Sequence, residues 1–316
     1  MNKEIQILLV VVFFTLVTYW GVEPFAHGAM HKHVDSMNYV YDGKADIAGA
    51  EADKVEAKKE FWGSVNKIAA LTGNAEAGAA GYAMCQGCHM KGAPNMGGVV
   101  PPVLDHAGSL YDKNYLIALI KDPAMAMNTD HKYEDTMMHP MGSIKSMITE
   151  DQAIADTVAY MLANLAAEAT PKEAFLEACS RCHENNYANL TQLGETPKFK
   201  YKKDTLAYRI KVLEEQDLIK AYMGKLPPDL SMMALSRNHH FLETFIENPQ
   251  SQLKGTSMPR VGLTKDGVDK VISYMTSVAD KNADARNSLG WKVILFFVIF
   301  TVLAYLWKKE VWSKLH

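Results

Sequence analysis

The hydrophobic pattern of the chain has three parts: a uniformly apolar segment near each end and a long amphipathic stretch between them. Residues 5–22 contain no charged side chain. As a helix they would span about 27 Å, close to the hydrocarbon thickness of a bilayer. Residues 291–307 repeat this pattern, with Lys292 as their one charge and with Trp291 and Trp307 at their two ends. The pattern predicts a membrane helix near each end of a water-exposed region.

The N-terminal apolar segment has a rival interpretation as a cleaved signal peptide. Its apolar run is longer than a usual signal-peptide core, and no A-x-A cleavage site follows it. Tyr19 and Trp20 suit the aromatic belt at a membrane interface. We therefore expect residues 1–24 to form a retained membrane anchor.

Basic residues predict how the chain crosses the membrane. Lys308, Lys309 and Lys314 follow the second apolar segment, and Lys3 precedes the first. The positive-inside rule then places both termini in the cytoplasm. Two crossings leave residues 25–288 on the outer side of the membrane.

Apolar positions in the central stretch recur at the three- and four-residue spacing of amphipathic helices. Capping residues at Thr149, Thr170 and Thr264 each precede such a run. Pro171 and Glu173 follow Thr170, which completes the signature of a capping box. Further helices are expected over residues 44–71, 110–121 and 204–222. Together these signals predict an all-α fold.

All four cysteines of the chain stand in two C-x-x-C-H motifs, at residues 85–89 and 179–183. In such a motif the two thiols attach covalently to a haem, and the histidine ligates its iron. A redox dithiol or a zinc site needs no histidine directly after each cysteine pair. The motifs therefore predict two covalently attached haem c groups. The expected attachment points are Cys85, Cys88, Cys179 and Cys182, and the expected iron ligands are His89 and His183.

A low-spin electron carrier also needs a second axial iron ligand, and a methionine thioether gives a higher potential than a second histidine. Met258 precedes Pro259 in a loop, six residues ahead of the Thr264 cap, and Met141 stands eight residues ahead of Thr149. We predict that Met258 ligates the second haem and Met141 the first. The alternatives for the first haem are Met137, Met138, Met147 and His139.

Two further residue types are candidates for contact with a haem. Pro101 stands twelve residues after His89, and a backbone carbonyl there can accept a hydrogen bond from Nδ1 of that imidazole. Arg237 is a candidate partner for a haem propionate, because a guanidinium pairs well with a carboxylate. The alternative interpretations are that Pro101 only interrupts regular structure in a loop and that Arg237 lies on the surface.

The two motifs belong to an internal repeat. Each half contains a C-x-x-C-H motif, a methionine-bearing loop and a helix ending in Tyr-Met, at 160–161 and 274–275. This order is typical of a small all-helical haem domain built twice. The expected divisions are an anchor over 1–24, a linker and helix over 25–73, haem domain 1 over 74–168, haem domain 2 over 169–285, and a membrane anchor with a cytoplasmic tail over 286–316.

Composition and motif content argue against several classes of function. The net charge of −3 and the lack of a basic tract argue against a nucleic-acid partner. The sequence contains no Ser-His-Asp constellation, phosphate loop or dinucleotide fingerprint. The chain has 18 methionines, and we expect some of them to line a haem. Because bacterial haem c is attached outside the cytoplasmic membrane, the motifs themselves indicate a periplasmic location for the central region.

The second half resembles cytochrome c1, the haem c subunit of the cytochrome bc1 complex. The similarity lies in Leu-Pro-Pro-Asp-Leu-Ser at 226–231, Arg237, Met258-Pro259 and the single C-terminal membrane helix, and it covers roughly residues 171–316. The first half is similar to a class I cytochrome c through residues 85–89 and Pro101-Pro102. The whole chain resembles the dihaem cytochrome c1 of some bacterial quinol–cytochrome c reductases.

This resemblance implies roles for several residues. His183 and Met258 correspond to the axial ligand pair of cytochrome c1, and Arg237 to the arginine beside a propionate. Pro227 and Pro228 match the segment that packs on the haem and can supply the carbonyl for His183.

The resemblance also implies partners. Cytochrome b and a Rieske iron-sulfur protein would share a dimeric complex in the bacterial inner membrane. A periplasmic cytochrome c or a terminal oxidase would accept the electrons. The chain itself would break no substrate bond. The alternatives are an electron-transfer subunit of a terminal oxidase or nitric oxide reductase, and a dihaem enzyme such as a peroxidase or a thiosulfate-oxidising cytochrome.

Overall fold

A computed structural model describes residues 3–30, 39–93, 95 and 98–315, and the regular structure of this part of the chain is almost entirely helical. The helices are α1 (Lys3–Val17), α2 (Glu23–Met30), α3 (Lys44–Ala48), α4 (Val55–Ala69), α5 (Ala75–His89), α6 (Ala107–Leu110), α7 (Lys113–Lys121), α8 (Pro123–Ala126), α9 (Ile144–Met147), α10 (Asp151–Asn164), α11 (Pro171–Ala178), α12 (Lys202–Met223), α13 (Met233–Ser236), α14 (His239–Glu247), α15 (Pro249–Gln252), α16 (Lys265–Ala279) and α17 (Ala283–Leu315). Short 3-10 turns lie at Asp130–Lys132, Thr136–Met138 and Asn186–Ala188. One antiparallel pair, β1 (Leu190–Thr191) with β2 (Gly194–Glu195), supplies the strands of the described residues. The all-α prediction is confirmed.

Both apolar segments form helices that are long and apolar enough to cross a membrane. They cover Lys3–Ala26 and Ala283–Lys314, and neither is buried against the rest of the protein. A π-helical turn, Thr18–Val22, joins α1 to α2. Pro24 explains this turn, because a proline ring clashes with the carbonyl four residues earlier in a regular α-helix. The Glu23 N–H accordingly donates to the Thr18 carbonyl, five residues back.

Two of the three predicted capping residues cap the start of a helix. Thr170 and Glu173 form the full capping box at α11, and the Thr264 hydroxyl accepts the Gly267 N–H at α16. The prediction for Thr149 is wrong, because α10 begins one residue later and Glu150 holds the cap position without a side-chain hydrogen bond. The helix expected over residues 44–71 is also interrupted, since α3 and α4 are separate.

Helices α5 and α10 cross at close range in the first half. A Cβ atom on Gly78 would lie 1.9 Å from the Asp156 carbonyl oxygen, so only glycine permits this approach. The rings of Tyr82 and Tyr160 stack beside the crossing, with centroids 5.1 Å apart. In the second half α11 packs on α16 in the same way, and Phe175 and Tyr274 lie 5.1 Å apart. The internal repeat is thus a repeat of the packing as well.

Replacement of Gly78 by alanine is expected to destabilise the protein by about 1–3 kcal/mol, since the added methyl group forces the backbone of α10 away. Gly63 is the matched control, because it lies in the exposed face of α4 with nothing within 4 Å of an added Cβ. Gly63→Ala is expected to be neutral or stabilising by up to about 1 kcal/mol, from helix propensity alone. Thermal unfolding of the full chain in detergent measures both. Equal midpoints for the two variants would contradict this account of the crossing.

The two repeats share one hydrophobic core. Between them the Asp112 N–H donates to the Gly262 carbonyl at 2.9 Å, and the Thr264 N–H donates to the Leu110 carbonyl at 2.7 Å. Tyr111 also forms a bridge with Leu263. The predicted boundary between residues 168 and 169 separates the sequence repeats, while the packing is continuous across it.

The segment predicted as a linker and helix is part of this core too. Trp62, Val65 and Ile68 of α4 are almost completely buried. The carboxylate of Asp46 in α3 accepts a hydrogen bond from the indole N–H of Trp62 at 3.1 Å. Residues 39–69 therefore contribute side chains to the shared hydrophobic core.

Candidate functional site

The two C-x-x-C-H motifs are placed differently on their helices. The first occupies the last turn of α5, so Cys85, Cys88 and His89 share one helical face at spacings of three and four residues. The second follows the end of α11, and its residues 179–182 form turns outside the assigned helix. All four thiols are free and partly buried.

Each motif histidine is held by a backbone carbonyl. Nδ1 of His89 donates to the Pro102 carbonyl at 2.7 Å, and Nδ1 of His183 donates to the Pro228 carbonyl at 2.8 Å. This bond fixes the ring and leaves Nε2 as the free lone pair, the arrangement found at metal-ligating histidines. The resemblance implied that the Pro227-Pro228 pair supplies a carbonyl to His183, and the carbonyl of Pro228 occupies that position.

The choice of Pro101 as the partner of His89 is wrong by one residue. Successive carbonyls of an irregular loop point in different directions, so a spacing in the sequence identifies the loop without identifying the oxygen. Pro102, the second proline of the pair, supplies it.

Burial favours the neutral form of both imidazoles. It lowers the pKa of His89, the Pro102 carbonyl opposes this in part, and the nearby positive charge of Arg181 lowers it further. Burial lowers the pKa of His183 as well, against the opposing effect of the Pro228 carbonyl. Since an ordinary histidine has a pKa near 6.5, both rings are neutral at pH 7, the form in which Nε2 binds a metal.

A cavity with a volume of about 90 Å³ lies against Cys85 and His89. Three methionines line it, Met127, Met141 and Met161, and most of the remaining lining side chains are apolar or aromatic. The structure therefore brings the first motif and its predicted second ligand, Met141, to one cavity.

The other candidates for the sixth ligand lie elsewhere. Met137, Met138 and Met147 are exposed, at 44%, 65% and 52%. His139 is buried, but its Nδ1 accepts the Met141 N–H at 3.0 Å, and burial lowers its pKa to about 4. Met127 and Met161 are alternatives that the sequence did not indicate, because each lies in or beside a helix rather than in the long loop. Their presence in the lining fits the expectation that some methionines face a haem.

Met258 is held by its backbone in the loop before α16. Its carbonyl accepts a hydrogen bond from Nε2 of Gln250 at 2.7 Å, and its N–H donates to the Thr256 hydroxyl at 3.3 Å. Pro259 and Arg260, the next two residues, line the cavity of the first motif. The role of Met258 as a ligand of the second haem stays a prediction.

Three arginines differ sharply in their surroundings. Arg237 is exposed, and its guanidinium lies 5.3 Å from the ring centroid of Phe241. Arg181 and Arg260 instead line the first cavity, although both come from the second half of the chain. Sequence reasoning missed them. The available signals were that Arg181 stands inside the second motif and that Arg260 directly follows Met258-Pro259.

Arg260 is fully buried and ion-paired. Its two terminal nitrogens donate to the two carboxylate oxygens of Asp46 at 2.7 and 3.0 Å, and one also donates to Asn248 at 3.0 Å. The ring centroid of Tyr39 lies 4.2 Å from the guanidinium. This cluster ties the segment before α4 to the loop that forms one wall of the cavity.

The residue types around the first motif fit a covalently attached haem c. The two thiols and the imidazole lie on one helical face, the Nε2 lone pair is free, the walls are mostly apolar, and a thioether lies in the lining. These are the donor types and surroundings that a Met/His-ligated haem requires. For the second motif the structure gives the same imidazole–carbonyl geometry at His183 and Pro228.

Comparisons with known proteins match parts of both halves of the chain. Residues 75–164 match the family described as Cytochrome c, and residues 263–315 match the Cytochrome C1 family. A solved structure described as "Hyperthermophilic respiratory Complex III" is 26% identical, with a TM-score of 0.39, over 46% of this chain and 75% of that chain. No curated protein matches the chain. The Cytochrome c match contains the first motif and Met141, and the Cytochrome C1 match contains α16 and α17. The chain is therefore similar to cytochrome c over residues 75–164 and to cytochrome c1 over residues 263–315.

Proposed function

We propose that this protein is the dihaem cytochrome c1 subunit of a bacterial quinol–cytochrome c reductase. It relays electrons from a Rieske iron-sulfur protein to a periplasmic cytochrome c or a terminal oxidase. The observation that carries this proposal is the continuous core, in which Arg181 of the second motif lines the cavity of the first. Two motifs that adjoin in this way suit electron transfer between them. When bound, each haem supplies a one-electron redox centre.

The electron enters at the second motif, Cys179–His183, and leaves from the first, Cys85–His89. The Cytochrome C1 match to residues 263–315, in the second half of the chain, supports this order. The chain's own contribution is to hold His89 and His183 neutral and oriented, to surround the first site with apolar side chains, and to offer Met141 and Met258 as thioether ligands. Pro227 and Pro228 pack beside the second site, and Arg237 pairs with a propionate there.

Two membrane helices anchor the relay. Lys308 Nζ lies 3.0 Å from Glu4 Oε2, so the start of α1 and the end of α17 are side by side. This contact supports a membrane hairpin with both termini on one face of the membrane. The lysines after the second span favour the cytoplasmic face, which leaves the haem motifs in the periplasm, where cytochrome b and the Rieske protein of a dimeric complex meet them.

Purification of the tagged chain from native membranes in mild detergent tests this function. We expect two haems c per chain, and co-purification with cytochrome b and a Rieske protein. Both haems should be low-spin. Recovery with an oxidase or nitric oxide reductase core alone would contradict the complex. A persistent high-spin haem that reacts with peroxide would favour a dihaem enzyme instead.

A further inference from the structure

Arg181 occupies an unusual position for a residue inside a haem motif. It stands between the two cysteines of the second motif, yet its side chain lines the cavity that holds Cys85 and His89. One terminal nitrogen donates to the Val100 carbonyl, at the long distance of 3.4 Å. Its Nε is buried and has no hydrogen-bond partner within the described residues.

The charge of this guanidinium also lacks a protein partner. No carboxylate of the described residues lies within 4 Å of it as an ion pair, although an arginine stays charged at any relevant pH. The acidic residues nearest in sequence are engaged elsewhere, because Glu184 accepts from Gln216 at 3.2 Å and Glu177 bonds His106. Arg260, in the same cavity wall, shows the contrast, since Asp46 neutralises it.

Arg181 is half-buried, and a partly buried cation without an anion carries a cost, to which its buried N–H donor without an acceptor adds. The described residues therefore supply no carboxylate to pair with Arg181 in this cavity. A haem seated on His89 carries two carboxylates as its propionates.

We propose that Arg181, from the second haem motif, binds a propionate of the haem held by the first motif. This inference rests on the proposed dihaem function and adds a direct link between its two sites. The planar fork of the guanidinium suits a bidentate pair with the carboxylate. The positive charge beside the first haem favours its reduced form, which carries one positive charge less than the oxidised form.

Redox titration of the full-length protein, followed by optical spectra, tests the link. Arg181→Gln removes the charge but keeps a polar side chain. It is expected to lower the ratio of reduced to oxidised first haem about tenfold at a fixed ambient potential, a 59 mV shift for a one-electron couple. Arg181→Lys keeps the charge and loses the fork, so its shift should be smaller. The first haem is identified as the couple that disappears when Cys85 and Cys88 are replaced by alanine.

Arg209→Gln is the matched control, because the same substitution is made at an exposed arginine of α12. It should leave the couple of the first haem in place. The inference is overturned if Arg181→Gln shifts neither couple or only that of the second haem. It is also overturned if Arg181→Lys shifts the first couple as far as Arg181→Gln does.

Haem content separates this inference from the function on which it rests. A wild-type chain with fewer than two covalent haems would refute the dihaem proposal itself. Two haems in the wild type and in both Arg181 variants, with unmoved potentials, would refute only the link. If Arg181→Gln does not assemble, the comparison of Arg181→Lys with Arg209→Gln decides, and an unmoved first couple in Arg181→Lys then counts against the link.

Discussion

Replacement of Arg260 by methionine is expected to destabilise the folded chain by about 3–5 kcal/mol, because it leaves the Asp46 carboxylate buried without its cation. The pair is fully enclosed, with side-chain exposures of 0% and 3%. Loss of this ion pair removes the link between the segment around α3 and the loop that follows Met258. Thermal or denaturant unfolding of the full chain in detergent measures the change.

Two further variants separate this buried pair from an ordinary charge effect. Lys44→Ala removes an exposed ion pair with Asp42 from the same short helix, and it is expected to leave the unfolding midpoint unchanged. The double variant Asp46→Leu/Arg260→Met is expected to lose less than the sum of the single losses, because neither charge is then left alone. Additive losses would show that the two side chains do not act as a pair.

The same pair predicts a dependence of stability on pH. Burial alone would raise the pKa of Asp46, but the hydrogen bonds and charge of Arg260, with help from Lys58 and the Tyr39 hydroxyl, hold it below its ordinary value near 4. The stabilisation is therefore complete above the unfolded pKa and is lost as the pH falls through the folded one. Unfolding midpoints measured from pH 7 to pH 3 should show a loss in the wild type that is absent from Arg260→Met/Asp46→Leu.

Replacement of Met141 by leucine is expected to have the largest effect on the first haem. Leucine keeps the size and apolar character of the side chain but cannot ligate iron. We expect the Met-to-iron charge-transfer band of one oxidised haem to disappear, and the reduced fraction of that haem to fall by more than about tenfold, since a thioether ligand raises the potential. Optical spectra and a redox titration measure both.

The other methionines provide the controls for this prediction. Met137→Leu changes an exposed residue and should leave both haems unchanged. Met127→Leu and Met161→Leu change the lining of the same cavity and should alter the spectrum only slightly. A charge-transfer band that survives in Met141→Leu and disappears in one of these two would assign the ligand to that residue instead.

Much of the fold was predictable because its signals are local. The membrane helices follow from uninterrupted apolar runs, and the caps at Thr170 and Thr264 follow from side chains that bond the backbone within three residues. The internal repeat follows from the order of motif, loop and helix.

The long-range contacts were not predictable from such signals. Asp46 and Arg260 are 214 residues apart, and nothing in either neighbourhood indicates that they meet. The close packing of the two repeats had no signal either, because core residues of both halves look alike in sequence. The sequence favoured Arg237 because it follows a recognisable segment. It passed over Arg181 and Arg260, which face the cavity.

The prediction of the sixth ligand of the first haem depends on both local and long-range features. The loop that carries Met141 was identified because it precedes a helix start, even though the exact cap was one residue off. The sequence favoured Met141 by its spacing from the next helix, while the exposure of Met137, Met138 and Met147 and the cavity lining give the physical reason to prefer it.

The relay itself is tested most directly by mixing the purified native complex with a quinol and following both c-type haems by stopped-flow absorbance. We expect both haems to become reduced, the haem of Cys179–His183 first and that of Cys85–His89 after it, and neither to be reduced in a preparation stripped of the Rieske protein. Rapid reduction without the Rieske protein, or a haem at Cys85–His89 that stays oxidised throughout, would contradict the account.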